Sequence, residues 1–413
     1  MNGNQALKLT GIDALAFAGP AGFLDMTDLA RARGVDPSKY LNGLGQRRMA
    51  IATPCEDTVT MAADAGARAL EGFDIDPADI GTLIVGTETG VDHSKPVAVY
   101  VHELLGLDQH CRTFETKHAC YGAMAGLTAS MDWIASGRSR GRKALVIASD
   151  IARYGLNTPG EPTQGAGAVA MVVADQPRLL SIDPVRIGDY TRQVMDFWRP
   201  LYSKYAFADG HYSIQCYLDA LVSARIDAVG ERDDVLESLS ACLYHVPFVK
   251  MAFKAHKRQL EMEFGGELSR DHTESWQLLS QSFERLVAPW LSLNADIGNI
   301  YTGSLFLTLI DLLRQSADSL AGREISLFSY GSGCGATYCI GNIVDGADRW
   351  RGALDPVAQL DARRRLSIEE YEALLADTEL ADRLERLEPS SYGLEGGLYY
   401  TGTRDHCRQY TRI

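Results

Sequence analysis

Cys120 lies in His118-Ala119-Cys120-Tyr121-Gly122, between a polar extended stretch and a run of small residues with helical character from Gly122. A helix starting there is expected to aim unpaired backbone N–H groups at the sulfur and to favour the thiolate, the form that attacks an acyl carbon. Glu88 follows an apolar run, in Val85-Gly86-Thr87-Glu88-Thr89-Gly90. Its small neighbours let a carboxylate enter a cleft, and burial would raise its pKa toward general acid/base work. His245 stands between a strand candidate and a proline-fixed exit, in Tyr244-His245-Val246-Pro247-Phe248. A neutral imidazole there can hydrogen-bond a thioester or ketone oxygen. Lys250, Lys254, Lys257 and Arg258 follow on a potential helix, a cationic segment suited to phosphates.

Two further segments could complete a site. Phe328-Ser329-Tyr330-Gly331-Ser332-Gly333-Cys334-Gly335 surrounds Ser332 with glycines, so its backbone N–H can approach an oxyanion. The loop has neither the phosphate-loop nor the dinucleotide-binding spacing. Asn299, in Asn299-Ile300-Tyr301-Thr302-Gly303-Ser304, can orient a carbonyl through its amide or cap the helix that follows. Each residue alone has an ordinary structural reading: a packed cysteine, a surface glutamate, a turn histidine, a solvated basic face. Together they suggest carbon–carbon bond formation between acyl thioesters. A thioester accepts a cysteine nucleophile and its α-carbon is acidic enough to form an enolate. Enolate formation needs a base, here Glu88, and donors at the carbonyl oxygen.

The elements that must position these residues alternate in kind. Strands are expected at 82–86, 144–148 and 166–173, with helices at 58–70, capped by Asp57, and at 122–135, stopped by Gly137. Extended runs buried on both faces and separated by helices point to a layered α/β architecture. An irregular aromatic region spans 190–205, helix resumes at 212–228, and a short strand at 242–246 ends at Pro247. A buried helix at 305–313 and a strand at 325–330 lead into the glycine-rich loop. The charged stretch 355–388 reads as an exposed helical excursion rather than a second catalytic unit.

The chain of 413 residues is 46% hydrophobic and 23% charged, enough for a large core or two fused units. A formal net charge of −14 without a long basic block argues against nucleic acid and against an anionic membrane as partners. Eight cysteines without a CxxC pair are too sparse for a disulfide scaffold and suit a reducing cytoplasmic setting. The opening MNGNQALKLTG lacks the apolar core of a signal peptide, and apolar runs elsewhere are too short or interrupted to span a bilayer.

Ordered motifs add a family likeness. GTETGVDHSKP around Glu88, HACYG around Cys120, ASDIARYGLN, GEPTQGAGAVAMVV, MDFWRP, ADGHYSIQCYL, YHVPFVKM around His245, GNIYTGS and FSYGSG together resemble 3-hydroxy-3-methylglutaryl-coenzyme A synthases of the thiolase superfamily. The likeness runs from about Gly11 to Asp345 and weakens beyond. It implies the five-layered αβαβα thiolase fold, an N-terminal half over 1–172, a C-terminal half over 173–413, and a homodimer. It implies Cys120 as nucleophile, Glu88 as general acid/base and His245 as the substrate-orienting residue. Asn299 and the Ser332 backbone are expected at acyl oxygens, Tyr154 at the border of the acyl pocket, and Lys250 and Lys254 near the phosphates of coenzyme A. Asp150 and Asp209 are expected to support these groups. The implied reaction joins acetyl-CoA to acetoacetyl-CoA and water, requires neither metal nor nicotinamide, and uses coenzyme A only as part of substrate and product. A related branch, which the 43–57 segment and KAHKR partly resemble, takes acetoacetyl groups from an acyl carrier protein in polyketide β-branching. A fold retained only to bind thioesters, without catalysis, is the third reading.

Overall fold

Runs of Val, Ile, Leu and Ala without polar alternation suit strands covered on both faces, and they form the centre of the molecule. The computed structural model describes residues 9–203, 205–316, 319–381 and 384–413. Most of the opening stretch read for a leader, residues 1–8, lies outside the described residues. Nine strands build the main sheet: β1 Thr10–Ala18, β2 Ile80–Gly86, β3 Arg112–Thr116, β4 Lys143–Ala152, β5 Gly165–Asp175, β6 Leu180–Thr191, β7 Ala241–Tyr244, β8 Glu324–Gly331 and β9 Gly335–Ile343. Their spatial order is β7-β8-β9-β6-β1-β5-β4-β2-β3.

The pairing pattern repeats on either side of the short antiparallel join between β1 and β6. Outward from β1, the chain pairs antiparallel with β5, then antiparallel to β4, then parallel to β2. Outward from β6, it pairs antiparallel with β9, antiparallel to β8, then parallel to β7. β2 and β7 therefore occupy corresponding places. Glu88 leaves the first just past its C-terminal end and His245 leaves the second in the same way.

Helices α1 Thr58–Gly72, α2 Gly122–Ala135, α3 Gly210–Val229, α4 Val249–Phe264, α5 Ser304–Ser316 and α6 Ile368–Ala381 surround this frame. α1 packs on β1, β5 and β4, and α2 on β2, β4 and β5. α3 covers β6 and β9, while α5 lies against β7, β8 and β1. The result is a mixed α/β fold. α1 begins with the expected Asp57 cap, a full capping box with Thr60, which stabilises such a terminus by about 1 kcal/mol. Gly137, at φ +76°, follows α2 at the expected stop.

The stretch 355–388 differs from its reading as an exposed excursion. Its residues Arg364–Arg365 add a strand beside Gly22–Phe23, and Leu366, Tyr371 and Leu374 are buried against Leu24, Met26, Leu29, Met49 and Ile51. The charges occupy one side of α6 while an apolar side is covered, as helical periodicity permits.

Candidate active site

Close backbone approach sets the first pair of residues. A Cβ on Gly86 would lie 2.4 Å from the Ala123 nitrogen, so only glycine lets β2 run against the start of α2. Beyond Gly86, the Asp150 carboxylate, fully buried at the end of β4, gathers the Glu88 loop. Its Oδ1 accepts the Thr87 hydroxyl (2.8 Å), the Glu88 N–H (2.9 Å), and the Thr89 N–H (3.2 Å) and hydroxyl (2.8 Å). The Arg199 guanidinium donates to the Glu88 carbonyl. Burial, reinforced by the Asp150 charge and opposed by Arg199, pushes the Glu88 carboxyl up to about 8. Asp150 is itself raised to about 7 by burial against the hydrogen bonds it accepts.

Cys120 faces that carboxyl: its Sγ–H donates to Glu88 Oε1 at 3.8 Å. The preceding Ala119 is held at φ +40°, a left-handed conformation that an L residue adopts only when its surroundings impose it. Gly331 helps impose it, since a Cβ there would lie 2.5 Å from the His118 carbonyl oxygen. The expected thiolate is not what the structure supports. Burial first, then the Glu88 and Asp150 charges, drive the thiol well above its usual range. The helix start offers less compensation than its position suggests, because the Ala123 N–H donates to Thr302 Oγ1 and the Met124 and Ala125 N–H groups return to the Tyr121 carbonyl. The resting sulfur is a thiol.

Tyr154, Phe197 and Tyr301 pack around Cys120. Asn299 is buried beside them, its Oδ1 accepting the Tyr301 N–H (2.9 Å) and the Ser304 hydroxyl (3.2 Å). Among the described residues that leaves its Nδ2 with a long, 3.4 Å approach to the Tyr154 hydroxyl, so the amide retains capacity to donate to a ligand. A cavity of about 480 Å³ opens in front, lined among others by Glu88, His118, Arg199, Ser332 and Cys334.

His245 leaves β7 with its N–H donated to the Phe328 carbonyl at 2.8 Å. Burial lowers the imidazole to about 3, so the ring is neutral, and its Nδ1 is buried with no hydrogen-bond partner among the described residues. No hydrogen bond joins this ring to Glu88 or Cys120 among the described residues. Its connection to the cavity wall runs through Tyr217, whose hydroxyl donates to the His245 carbonyl (2.9 Å) and whose ring packs on Tyr330. Tyr330 donates to Asp196 Oδ2 (2.7 Å), and Asp196 Oδ1 accepts the Gly333 N–H (2.9 Å). Asp196 thus fastens the Ser332 loop. It is fully buried and does not stand out in the sequence, although a lone carboxylate inside the aromatic MDFWRP run is the available signal.

The remaining candidates lie at the surface. Lys250 and Lys254 are exposed one turn apart on α4, their ammonium groups 5.9 Å from the Phe253 and Phe248 rings. Asp209 is exposed; it caps α3 by accepting the Tyr212 N–H at 3.1 Å, and its own N–H donates to the Asp196 carbonyl at 3.1 Å. Among the described residues no group of three or more His, Cys, Asp or Glu side chains could hold a metal, and no helix is long and apolar enough to cross a membrane.

A cysteine thiol against a high-pKa carboxyl, beside a cavity lined in part by a glycine-rich loop, is an arrangement suited to acyl transfer through the cysteine sulfur. Comparison with known proteins narrows the class. Family models described as hydroxymethylglutaryl-coenzyme A synthase N terminal and C terminal match residues 7–177, and 180–277 with 268–412. The second match continues well past Asp345, where the motif likeness fades. A hydroxymethylglutaryl-CoA synthase of Enterococcus faecalis is 40% identical over 381 residues, covering 92% of this chain and 94% of that one. The polyketide biosynthesis 3-hydroxy-3-methylglutaryl-ACP synthase PksG of Bacillus subtilis is 34% identical, covering 88% and 87%. The solved structure of MvaS in complex with 3-hydroxy-3-methylglutaryl coenzyme A superposes with a TM-score of 0.90 at 48% identity, over 98% of this chain and 99% of that one. The curacin biosynthetic HMG synthase in complex with holo donor-ACP gives 0.90 at 32% identity, over 98% and 100%. The chain belongs to the hydroxymethylglutaryl-CoA synthase family. Its activity is the condensation of acetyl-CoA with acetoacetyl-CoA to give HMG-CoA.

Proposed function

We propose that Cys120, Glu88 and His245 carry this condensation as nucleophile, general acid/base and substrate-orienting residue. The observation that carries the reading is the Sγ–H to Oε1 contact of 3.8 Å between Cys120 and Glu88, which puts an acyl group on sulfur within reach of the carboxylate. Acetyl-CoA acylates the Cys120 sulfur, and free coenzyme A departs with the thiol proton. Acetoacetyl-CoA enters, the His245 ring donates to an acyl oxygen, and ionised Glu88 takes an α-proton from the acetyl group. The carbanion equivalent attacks the ketone carbon, and Glu88 returns the proton to the new alkoxide. Water then cleaves the thioester, releasing HMG-CoA and restoring the thiol. The Asn299 Nδ2 and the Ser332 N–H supply donors for acyl oxygens, and Tyr154 borders the acetyl group.

Lys250 and Lys254 are assigned to coenzyme A phosphates on their exposure and spacing, which suit an anion. Coenzyme A is accordingly the preferred donor and acceptor handle, with service to the mevalonate pathway. The likeness to PksG and to the curacin enzyme supports the carrier-protein reading as the second choice, decided by comparing acetoacetyl-CoA with acetoacetyl-carrier protein as substrates. We also assign a five-layered αβαβα stack, with α2 and α5 between the two halves of the sheet and α1 and α3 outside. Two halves, whose repeated strand pairing puts the join between β5 and β6 rather than at 172/173 (within β5), a homodimer and a cytoplasmic setting complete the reading. Intact-mass analysis after mixing with acetyl-CoA tests the core of it. Wild-type protein should gain one acetyl group and Cys120→Ala none; a stable acetyl adduct on the variant would overturn the assignment.

A further inference from the structure

The connection between β4 and β5 carries Tyr154 and is held from an unexpected direction. Gln164, nearly fully buried, accepts the Tyr154 N–H on its Oε1 at 2.8 Å and donates its Nε2 to the Tyr371 hydroxyl at 2.7 Å. Tyr371 is fully buried on α6, in the charged C-terminal stretch, and donates to Glu161 Oε1 at 3.2 Å. Glu161 is clamped by the Arg33 guanidinium through two bonds (2.9 and 2.7 Å) and accepts the Asn157 N–H at 2.9 Å. Arg33 returns to α6 through Glu372 at 2.7 Å. On the same connection the Thr163 carbonyl accepts the Asn299 N–H at 3.3 Å.

The polar groups of Gln164, Glu161 and Tyr371 have few alternatives, since all three are shielded from water. Removing the Tyr371 hydroxyl leaves the Gln164 amide short of an acceptor and free to turn, which releases the Tyr154 backbone. We infer that Tyr371 is a positioning residue for acyl-group selection: through Gln164 it fixes the Tyr154 loop and thereby the room available beside the Cys120 sulfur. The C-terminal stretch thus contributes to substrate choice without touching substrate. The inference rests on the proposed place of Tyr154 at the acetyl group.

The test is the ratio of propionyl to acetyl transfer onto Cys120, read by intact mass at matched times with propionyl-CoA and acetyl-CoA, in wild type and Tyr371→Phe. A pocket that rejects one extra methylene discriminates by about tenfold or more, and loosening it should raise the propionyl share by about tenfold. A purely structural role would reduce the active fraction and slow both acylations equally, leaving the ratio unmoved. An unchanged ratio overturns the inference. Should Tyr371→Phe be insoluble, Gln164→Met breaks the same link from the other end and is read the same way. Absence of any acyl adduct on wild-type protein would instead overturn the proposed function, and this inference with it.

Discussion

Replacing Glu88 by glutamine should make the protein more stable in alkali while abolishing condensation. The carboxyl is held at about 8 against an ordinary value of 4.5, because burial disfavours its charged form and the neighbouring Asp150 charge adds to the cost. Below the unfolded value both states hold the proton and the substitution changes little. As pH rises from about 4.5 to about 8 the unfolded chain releases the proton and the folded one keeps it, so wild-type stability falls throughout that window. Above it both states are ionised and the loss is complete. At about 1.4 kcal/mol per pH unit the window amounts to about 5 kcal/mol as a ceiling, approached only if the side chain stays as shielded as it is in the resting enzyme. Glutamine keeps the shape and never ionises, so the variant escapes this penalty. Urea unfolding of both proteins between about pH 5 and pH 9 measures it. The two midpoints should be close at the acid end, diverge in favour of Glu88→Gln through neutrality, and run parallel beyond about pH 8. Parallel curves across the whole range would refute the claim that burial and Asp150 hold the proton on Glu88.

Two further outcomes follow from the same geometry. Condensation from preformed acetyl-enzyme should rise with pH through about 8 as Glu88 becomes ionised; Asp150→Asn, which removes a neighbouring negative charge, should move that limb to lower pH, and an unmoved midpoint in stopped-flow rates would count against the coupling. Gly86→Ala would place a Cβ 2.4 Å from the Ala123 nitrogen and 2.7 Å from the Gly122 carbonyl carbon, backbone atoms with no flexible end to yield. It should cost about 1–3 kcal/mol of stability and slow both acylation and condensation by parting Glu88 from Cys120, whereas a variant with wild-type melting and turnover would contradict the close approach.

The parts of this site readable from sequence are those whose chemistry is set by a residue and its immediate neighbours. Glu88 and His245 are legible because each follows an apolar run, and burial at a strand end shifts a carboxyl upward and an imidazole downward in the directions found. Cys120 is legible as a residue but not in its protonation state, which depends on Glu88, Asp150 and the Thr302 hydroxyl, all brought in by other segments. Asp209 caps α3 and donates its own N–H to the Asp196 carbonyl, while Asp196, inconspicuous in the sequence, fastens the glycine-rich loop. Both outcomes depend on which backbone N–H groups the fold presents to a carboxylate, information that local spacing does not carry. The same limit hides the buried side of α6, whose partners lie between Leu24 and Ile51.

What makes so dispersed a site assemble is the repeated strand pairing. β2 and β7 hold equivalent places in the two halves of the sheet, so the residues just beyond their ends emerge in equivalent ways, one an acid and the other an imidazole. No sequence repeat betrays this, because buried strands demand only apolar volume and many combinations of Val, Ile, Leu and Ala supply it. Side-chain identity is constrained only where chemistry or close contact requires it. In the acid's half Gly86 and Asp150 bind the loop against the nucleophile; in the other half Tyr217, Tyr330 and Asp196 tie the imidazole's strand to the glycine-rich loop. The fold supplies the equivalence and these few contacts break it, giving one half a high-pKa acid and the other a neutral imidazole.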